Sequence, residues 1–393
     1  MNRETIDFIS THADADVRRL ALEGAGAPGV DMPLALEQIS GRQTAARKLP
    51  TLARHEGIWY PAHLSMEQCS GEAAARYKLQ VARRLVAPDR RQGFADLTGG
   101  FGVDFLTLSM AFSSAVYVER NEELCRVMRH NLAVLGRRAT VVCDDASAYI
   151  DRMPYRDLVF LDPARRDVGG GRTYAIADCT PNVLELRSRL LEKAGVVMVK
   201  LSPMLDWHEA VKALGCVSEV HIFSTANECK ELLLVLSAGA GDGPPVYCVN
   251  DGDAVRFLPD AAVPRLLSRP VCPGDYLYEP NASVMKSGCF GALCHRYDVE
   301  MAAASSHLFV SGHRLEDFPG RRFRVNDVTT LNRKQLRRVL GGMDRANVSV
   351  RNFPLGSADL RRRLGLKDGG SVYIFGTTLS RRDHVLLICE KIC

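Results

Sequence analysis

A cluster of glycines and acids in the second quarter of the chain has a spacing that suits the binding of a small ligand. Its glycine and polar positions are Asp96, Thr98, Gly99, Gly100, Gly102 and Asp104. An apolar run precedes the cluster and an amphipathic run follows it, which predicts a strand, a loop and a helix. Glycines let the backbone pass close to a ligand that faces the helix amino terminus. The loop departs from the dinucleotide-binding fingerprint, because the third glycine of that motif would fall on Phe105.

Acidic residues also end the next two predicted strands. Glu119 follows Asp96 by 23 positions, near the spacing at which a carboxylate accepts hydrogen bonds from the ribose hydroxyls of a nucleoside. Asp144 and Asp145 end the third strand. Because the carboxyl ends of parallel strands meet at one edge of a sheet, we expect these acids to line one site.

Two further segments carry residues that could act on a substrate. Asp162, Pro163 and Arg165 end the fourth strand, where Arg165 could bind a phosphate in bidentate fashion or pair with a surface acid. Glu228 precedes the last strand of the series, where it could accept a proton at the substrate mouth or simply belong to a turn. Cys229 could act as a nucleophile, but no histidine neighbours it in the sequence.

The elements that position these residues follow from the pattern of apolar residues. Short apolar strands alternate with amphipathic helices between about 93 and 237, which predicts a doubly wound α/β sheet of seven strands. The last two strands are close enough to form an antiparallel hairpin. Residues 1–90 have helical spacing, and Ser70 is a suitable N-cap for a helix that ends near Leu85.

Beyond the predicted sheet, a Gly- and Pro-rich stretch at 239–245 marks a boundary. The last 73 residues have a strand–helix–strand–helix–strand–strand pattern typical of a small α+β domain. The predicted domains are a helical region at 1–90, the doubly wound domain at 91–240, a linker at 241–275, a small unit at 276–320 and the α+β domain at 321–393.

Charge is distributed unevenly along the chain. Residues 314–393 contain 17 Lys and Arg against 8 Asp and Glu, whereas the preceding 313 residues carry a net charge of −4. One predicted helix places Arg333, Lys334, Arg337 and Arg338 opposite an apolar face. Basic helix faces of this kind can follow a phosphate backbone, although a merely solvated basic surface would have the same composition.

Composition favours a cytoplasmic protein. The first residues lack the apolar core of a signal peptide, and no apolar run reaches the roughly 18 residues that a membrane-spanning helix needs. The twelve cysteines are irregularly spaced and are expected to be reduced. Cys289 and Cys294 have no second pair at zinc-finger spacing, so we expect buried thiols and no metal site.

The glycine-rich loop resembles motif I of class I methyltransferases, which use S-adenosylmethionine (AdoMet). This resemblance implies that Asp96 helps to hold the amino-acid portion of AdoMet and that Glu119 binds its ribose. It also implies that the end of the third strand accepts a hydrogen bond from the adenine amino group, and Asp145 is favoured over Asp144 because a small residue follows it.

The segment at Asp162 and Pro163 resembles motif IV of the same enzymes, which faces the methyl-accepting atom. Enzymes that methylate base nitrogens often have an aromatic residue shortly after this acid, whereas this chain has Ala164 and Arg165. Enzymes that methylate uracil at C5 need a cysteine after the fifth strand, and this chain has Ser202 and Pro203 there. The resemblance therefore leaves the methylated atom open.

Five segments together resemble a bacterial family of class I methyltransferases that carry ferredoxin-like and THUMP-like domains at the carboxyl terminus. They are Cys69–Tyr77, DLTGGFGVD, YVERNEELC, LDPARRD and VKLSPMLDW. Because THUMP domains occur in RNA-modifying enzymes, the resemblance implies an RNA substrate, either tRNA or rRNA. Two alternatives stay open: a non-catalytic RNA-binding protein that retains AdoMet, and a methyltransferase that acts on a protein or a small molecule. The sequence leaves the oligomeric state undetermined.

Overall fold

The computed structural model describes residues 1–23, 28–165, 176–241, 243–258, 263–379 and 383–392. These residues form two compact units. The first comprises 1–218 and 231–241, and the second comprises 219–230 and 242–393. Among the described residues, no helix is both long and apolar enough to cross a membrane.

The amino-terminal region is helical, as predicted. Its helices are α1 (Arg3–Thr11), α2 (Val17–Glu23), α3 (Met32–Lys48), α4 (His63–Gln68) and α5 (Glu72–Leu85). In α5 the small and apolar residues Ala75, Leu79 and Ala82 recur at helical spacing and are buried. One detail differs from the prediction, because Gly71 and not Ser70 occupies the N-cap position of α5. The Ser70 hydroxyl instead contacts a buried carboxylate described below.

The following segment alternates strands and helices. Its elements are β1 (Gly93–Asp96), α6 (Val103–Leu108), β2 (Ser114–Glu119), α7 (Glu122–Val134), β3 (Thr140–Cys143), α8 (Ala146–Arg152), β4 (Arg156–Leu161), β5 (Ala164–Arg165), β6 (Cys179–Thr180), α9 (Val183–Lys193), β7 (Ala194–Leu201), α10 (Trp207–Leu214), β8 (Val217–Thr225) and β9 (Glu228–Leu236). Strands β5 and β6 form a separate two-stranded ribbon.

The sheet of the first unit is doubly wound around β1. Parallel pairing joins β1 to β2 and β4, β2 to β3, and β4 to β7, while β9 lies antiparallel to β7. The Ser218 hydroxyl at the start of β8 donates to the Val235 carbonyl oxygen at 3.2 Å, which places β8 beside β9. The resulting order β8-β9-β7-β4-β1-β2-β3 confirms the predicted seven-stranded architecture and its antiparallel hairpin.

A continuous apolar core explains why the central strands are almost free of polar residues. Phe94, Tyr117, Phe160 and Met198 lie on neighbouring strands, are all buried, and belong to one cluster. Helices cover both faces of a parallel sheet, so its central strands read as uninterrupted apolar runs. Polar residues of these strands are consequently concentrated at the strand ends, where the predicted site lies.

The second unit begins with strands in the segment that the sequence predicted to be a linker. Strand β10 (Val246–Asn250) pairs in parallel with β8, and β11 (Asp253–Phe257) pairs antiparallel with β10. The prediction of a linker at 241–275 is therefore corrected, because the apolar residues Val246, Cys248 and Val249 are buried in this sheet. The abundant prolines that suggested irregular structure lie outside these two strands.

The remaining strands of the second unit form a single mixed sheet, and helices lie between them in the chain. They are β12 (Tyr276–Pro280), α11 (Ala282–Ser287), α12 (Phe290–Tyr297), β13 (Glu300–Met301), β14 (Phe309–Ser311), β15 (Gly320–Thr329), α13 (Arg333–Leu340), β16 (Asn347–Arg351), α14 (Ser357–Leu364), β17 (Val372–Thr378) and β18 (His384–Lys391). The strand order is β13-β14-β12-β15-β18-β17-β16. Because β12 pairs with β15, the units predicted at 276–320 and 321–393 share one sheet.

Candidate active site

The loop after β1 is tied to the end of β4. Asp96 is buried, and its Oδ1 accepts a hydrogen bond from the Thr98 backbone N–H at 3.0 Å. The Thr98 Oγ1 accepts one from the Asp162 backbone N–H at 2.6 Å. Thr98 therefore brings the two predicted acids, Asp96 and Asp162, to the same edge of the sheet.

Glu119 holds the middle of the same loop. Its Oε2 accepts the Gly100 backbone N–H at 3.0 Å, and its Oε1 accepts the Asn121 backbone N–H at 2.9 Å. The Tyr117 hydroxyl donates to the Gly100 carbonyl oxygen at 2.5 Å. The carboxylate is half-buried and keeps further lone pairs, so it can still accept ligand hydroxyls.

Two glycines of the loop are required by close packing. A Cβ atom at Gly99 would lie 2.1 Å from the Tyr117 ring, and one at Gly102 would lie 1.9 Å from Met128 Cε. Gly102 also has a φ of +88° as it enters α6. The glycine pattern that predicted a ligand loop therefore also reflects how tightly this loop packs on β2 and α7.

We expect Gly102→Ala to destabilise the protein more than Gly136→Ala. Both positions have positive φ, +88° and +62°, but nothing lies within 4 Å of a Cβ at Gly136. The control should cost about 1 kcal/mol from backbone strain, and Gly102→Ala roughly 2–4 kcal/mol because Met128 must also move. Thermal denaturation of both variants measures the difference; equal melting temperatures would show that Met128 yields without cost.

The end of β3 presents two acids with different partners. Asp145 is the N-cap of α8, and its Oδ1 accepts the Ser147 backbone N–H at 2.8 Å. Asp144 forms a close ion pair with Arg152, which lowers the pKa of the Asp144 carboxyl below its usual value. Both residues are within reach of solvent, so either can meet a ligand, and the preference for Asp145 stays a prediction.

Asp162 is paired with a lysine that the sequence analysis did not single out. The Lys200 Nζ lies 2.5 Å from Asp162 Oδ2. Burial alone would lower the pKa of Lys200, but Asp162, Glu231 and Asp104 together raise it above its ordinary value. Leu161 on β4 pairs with Val199 on β7, so the residues that follow them, Asp162 and Lys200, are neighbours, and this register is known only from the structure.

A second group of charges lies buried in the first unit. It consists of Ser70, Lys78, Asp104 and Glu231, which we call the Lys78 cluster. Asp104 was predicted to bind the cofactor, yet its Oδ2 accepts the Ser70 hydroxyl at 2.7 Å and its Oδ1 pairs with Lys78 Nζ at 3.0 Å. Both of its oxygens thus contact protein groups, and a direct role for Asp104 in AdoMet binding stays a prediction.

The electrostatics of Asp96 favour a cationic ligand. Burial raises the pKa of Asp96 well above its ordinary value, and the carboxylates of Asp104, Asp162 and Glu119 raise it further, against the Thr98 hydrogen bond that lowers it. Within the described part of the chain, the Asp96 carboxylate accepts only that one hydrogen bond and has no cation beside it. A ligand ammonium group would therefore stabilise the ionised form.

The other predicted catalytic residues are less informative. Pro163 is buried directly after Asp162. Arg165 belongs to the ribbon strand β5, where its backbone pairs with Cys179, but its side chain lies outside the described structure, as do residues 166–175. Glu228 lies in the second unit, is exposed, and pairs with Lys230 at 2.7 Å. Its role as a proton acceptor stays a prediction.

Comparison with known families identifies the carboxyl-terminal part of the chain. Residues 276–319 match the model of a ferredoxin-like domain, and residues 320–391 match that of a THUMP domain-like family. The carboxyl-terminal domains are ferredoxin-like and THUMP-like. Their boundary at 319/320 falls at the start of β15, one residue from the predicted boundary.

A solved structure extends the similarity to the whole chain. The crystal structure of a proposed methyltransferase from Porphyromonas gingivalis W83 is 28% identical, covers 99% of this chain and 98% of that one, and superposes with a TM-score of 0.86. The predicted architecture, a doubly wound α/β sheet followed by ferredoxin-like and THUMP-like domains, is confirmed. A search among curated proteins returned no match.

Other matches cover a smaller share of this chain. One is the 16S rRNA N2 G1207 methyltransferase RsmC from Thermus thermophilus in complex with AdoMet and guanosine, which is 17% identical over 41% of this chain and 42% of that one, with a TM-score of 0.32. Another is an rRNA methylase from Streptococcus thermophilus, 13% identical over 41% and 93%, with a TM-score of 0.31. Neither score is high enough to bear on the function of this chain.

The THUMP-like domain presents the predicted basic helix to solvent. Within α13, the side chains of Arg333, Lys334, Arg337 and Arg338 are exposed. On the opposite face, Leu336, Val339 and Leu340 pack against the core of the domain. Asn332 caps the helix by accepting the Lys334 and Gln335 backbone N–H groups. The basic residues are consequently held by a packed helix while remaining available to a partner.

No metal site accompanies these features in the described ranges. No group of three or more His, Cys, Asp or Glu side chains there has an arrangement that could hold a metal ion. Cys294 is buried, as expected, whereas Cys289 is only half-buried.

Proposed function

We propose that this protein is an AdoMet-dependent methyltransferase whose substrate is RNA, either tRNA or rRNA. The observation that carries the RNA substrate is the exposed row of Arg and Lys side chains on α13 of the THUMP-like domain. Four exposed positive charges on one helix suit a phosphate backbone better than a small neutral acceptor. The site at the carboxyl edge of the sheet supports the methyl-transfer chemistry.

The residues of the first unit fit AdoMet. Asp96, buried and short of hydrogen bonds, accepts the ammonium group of the amino-acid portion. Glu119 accepts the ribose hydroxyls, and Asp145 or Asp144 accepts the adenine amino group. Three carboxylates, those of Asp104, Asp162 and Glu119, raise the pKa of Asp96, so the site favours a ligand that carries positive charge. When bound, AdoMet supplies an electrophilic methyl group attached to a sulfonium sulfur.

Asp162 and the Pro163 carbonyl position the methyl acceptor. Lys200 pins one carboxylate oxygen of Asp162, and Thr98 holds its backbone N–H, so the other oxygen has a fixed direction. A hydrogen-bearing acceptor atom would donate to that oxygen and be oriented for attack. Orientation of this kind supplies most of the acceleration expected here, because it replaces a bimolecular encounter by a fixed geometry.

The direct test incubates the protein with methyl-labelled AdoMet and bulk tRNA or rRNA from a strain that lacks the gene. Label in RNA, followed by nucleoside digestion, would identify the modified nucleotide. Label that enters protein or a small molecule instead would redirect the proposal to those substrates. AdoMet binding without any transfer would support a non-catalytic RNA-binding protein.

Removing charge from α13 should weaken RNA binding in a salt-dependent manner. Arg333 and Arg337 are one turn apart on the same face of the helix, so we expect Arg333→Gln/Arg337→Gln to lose two phosphate contacts. The slope of log K against log salt should become shallower by about 1.5–2. Fluorescence anisotropy with labelled tRNA at four or five salt concentrations measures this slope.

A matched variant separates this local effect from the loss of net charge. Arg3→Gln/Arg18→Gln removes the same charge from exposed positions on α1 and α2. The control should keep the wild-type salt slope. Equal slopes for both double variants would remove the support that α13 gives to an RNA substrate.

A further inference from the structure

The Lys78 cluster places charged side chains in the interior of the first unit. Lys78 is fully buried, and Glu231, Ser70 and Asp104 are only 3%, 5% and 7% exposed. Burying a charged group is costly unless its partners are close, and an apolar set of similar volume is often as stable as a buried ion pair. Stability alone therefore does not explain why these charged residues are buried here.

The contacts of Lys78 join three parts of the first unit. From α5, its Nζ lies 2.6 Å from Glu231 Oε1 on β9 and 3.0 Å from Asp104 Oδ1 on α6. It also donates to the Ser70 hydroxyl oxygen at 2.9 Å, and that hydroxyl donates to Asp104 Oδ2 at 2.7 Å. Lys78 thus contacts Asp104 both directly and through Ser70.

Asp104 is the point at which this cluster meets the ligand loop. It is the second residue of α6, and α6 begins directly after Gly102 with no side chain capping its first turn. Glu119 and Tyr117 hold the middle of the loop through Gly100. The other end of the loop, at Gly102, runs directly into α6, where the Asp104 side chain contacts Lys78 and Ser70.

We propose that Lys78 is a positioning residue for AdoMet binding. It lies outside the methyltransferase sheet, on the amino-terminal helix α5, and acts through Asp104 to hold the loop Gly99–Gly102 in its ligand-binding conformation. This inference rests on the proposed AdoMet-dependent function. It assigns to the amino-terminal helices a part in cofactor binding that their amphipathic pattern does not reveal.

The test compares AdoMet affinity with folding in the full-length protein. Lys78→Met alone would leave two carboxylates without their cation. The principal variant is therefore Lys78→Met/Glu231→Gln, which removes one positive and one negative charge and leaves the net charge of the cluster unchanged. Ser70→Ala removes the hydroxyl that donates to Asp104 and accepts from Lys78 but removes no charge, so it is the conservative variant. Lys48→Met is the control, because Lys48 lies in the same region and donates to the Met66 and Glu67 carbonyl oxygens.

Isothermal titration with AdoMet and thermal denaturation without it give the two readouts. We expect the double variant to bind AdoMet about 10- to 100-fold more weakly at a temperature where it is fully folded, because loosening the loop misplaces its donors. Ser70→Ala should weaken binding in the same direction by a few-fold, and Lys48→Met should bind like the wild type.

The outcomes separate this inference from the function on which it rests. If the wild-type protein does not bind AdoMet, the proposed function fails first. If the wild type binds and both Ser70→Ala and the double variant bind equally well, Lys78 serves stability alone and the inference is overturned. A lower melting temperature with unchanged affinity would lead to the same conclusion.

Discussion

Asp162→Asn is expected to lower the rate of methyl transfer by about 100- to 10,000-fold while leaving AdoMet affinity within about threefold of the wild type. In the proposed mechanism the Asp162 side chain orients the methyl acceptor, so the loss should fall on the chemical step. Asparagine keeps the shape of the residue and an oxygen that can accept from Lys200 at the position where the structure shows a 2.5 Å contact. Single-turnover kinetics with bound AdoMet and excess RNA measures the effect.

Asp162→Ala is expected to destabilise the protein more than Asp162→Asn does. It removes the partner of Lys200 and leaves a buried lysine without its nearest carboxylate. A loss of stability of about 3–5 kcal/mol is therefore expected in addition to the loss of transfer. Wild-type turnover by Asp162→Asn would contradict the assignment of Asp162 to the acceptor site, whereas the alanine variant alone could not distinguish catalysis from folding.

Asp96→Asn is expected to change cofactor affinity and stability in opposite directions. The ionised carboxylate attracts the ammonium group of AdoMet, so its loss should weaken binding by roughly 100-fold or more. In the ligand-free protein the same carboxylate is buried beside three other acids, and the substitution should stabilise the fold by about 1–3 kcal/mol. Calorimetric titration and thermal denaturation without ligand measure the two effects.

The pH dependence of the wild type follows from the raised pKa of Asp96. A carboxyl whose pKa is raised in the folded state takes up a proton at a higher pH than an ordinary aspartate. AdoMet affinity should therefore fall as pH decreases through this raised pKa, since the neutral acid no longer attracts an ammonium group. Over the same range the ligand-free protein should become relatively more stable, because the buried charge is lost.

Asp96→Asn is the control for the pH dependence of AdoMet affinity in the wild type. Its AdoMet affinity should be low and nearly independent of pH in the acidic range where the wild type loses affinity. An acidic limb that persists unchanged in Asp96→Asn would mean that another group, such as Glu119, governs the dependence. A variant that is less stable than the wild type would show that Asp96 is held by contacts stronger than its one hydrogen bond indicates.

The sequence by itself determined the methyltransferase sheet and most of its edge. Strand–loop–helix alternation and the glycines after β1 are local patterns, and they place Asp96, Glu119 and Asp162 at strand ends before any contact is known. Parallel strands then bring those ends to one edge whatever the details of packing. The basic face of α13 was likewise predictable from the sequence, because helical periodicity alone separates its charged and apolar sides.

Local patterns also misled where short elements were concerned. The five-residue strands β10 and β11 lie in a segment rich in prolines and turns, so their apolar alternation was too brief to outweigh its surroundings. Ser70 has the residue type of a helix cap and stands next to a helix, yet its hydroxyl is used by Asp104. In both places a tertiary contact overrode a local preference.

Only the tertiary structure decided which charges meet. Lys78 and Glu231 are 153 positions apart in the chain, and their contact at 2.6 Å depends on how α5 packs against the sheet. A lysine in an amphipathic helix ordinarily reads as solvent-exposed, although helical spacing places Lys78 on the same face as Ala74, Ala75 and Ala82. Periodicity fixes the face on which a residue lies, whereas the partner across an interface is set by packing between segments remote in sequence. The acids at the strand ends were therefore predictable, whereas the pairing of Lys200 with Asp162 and of Lys78 with Asp104 was not.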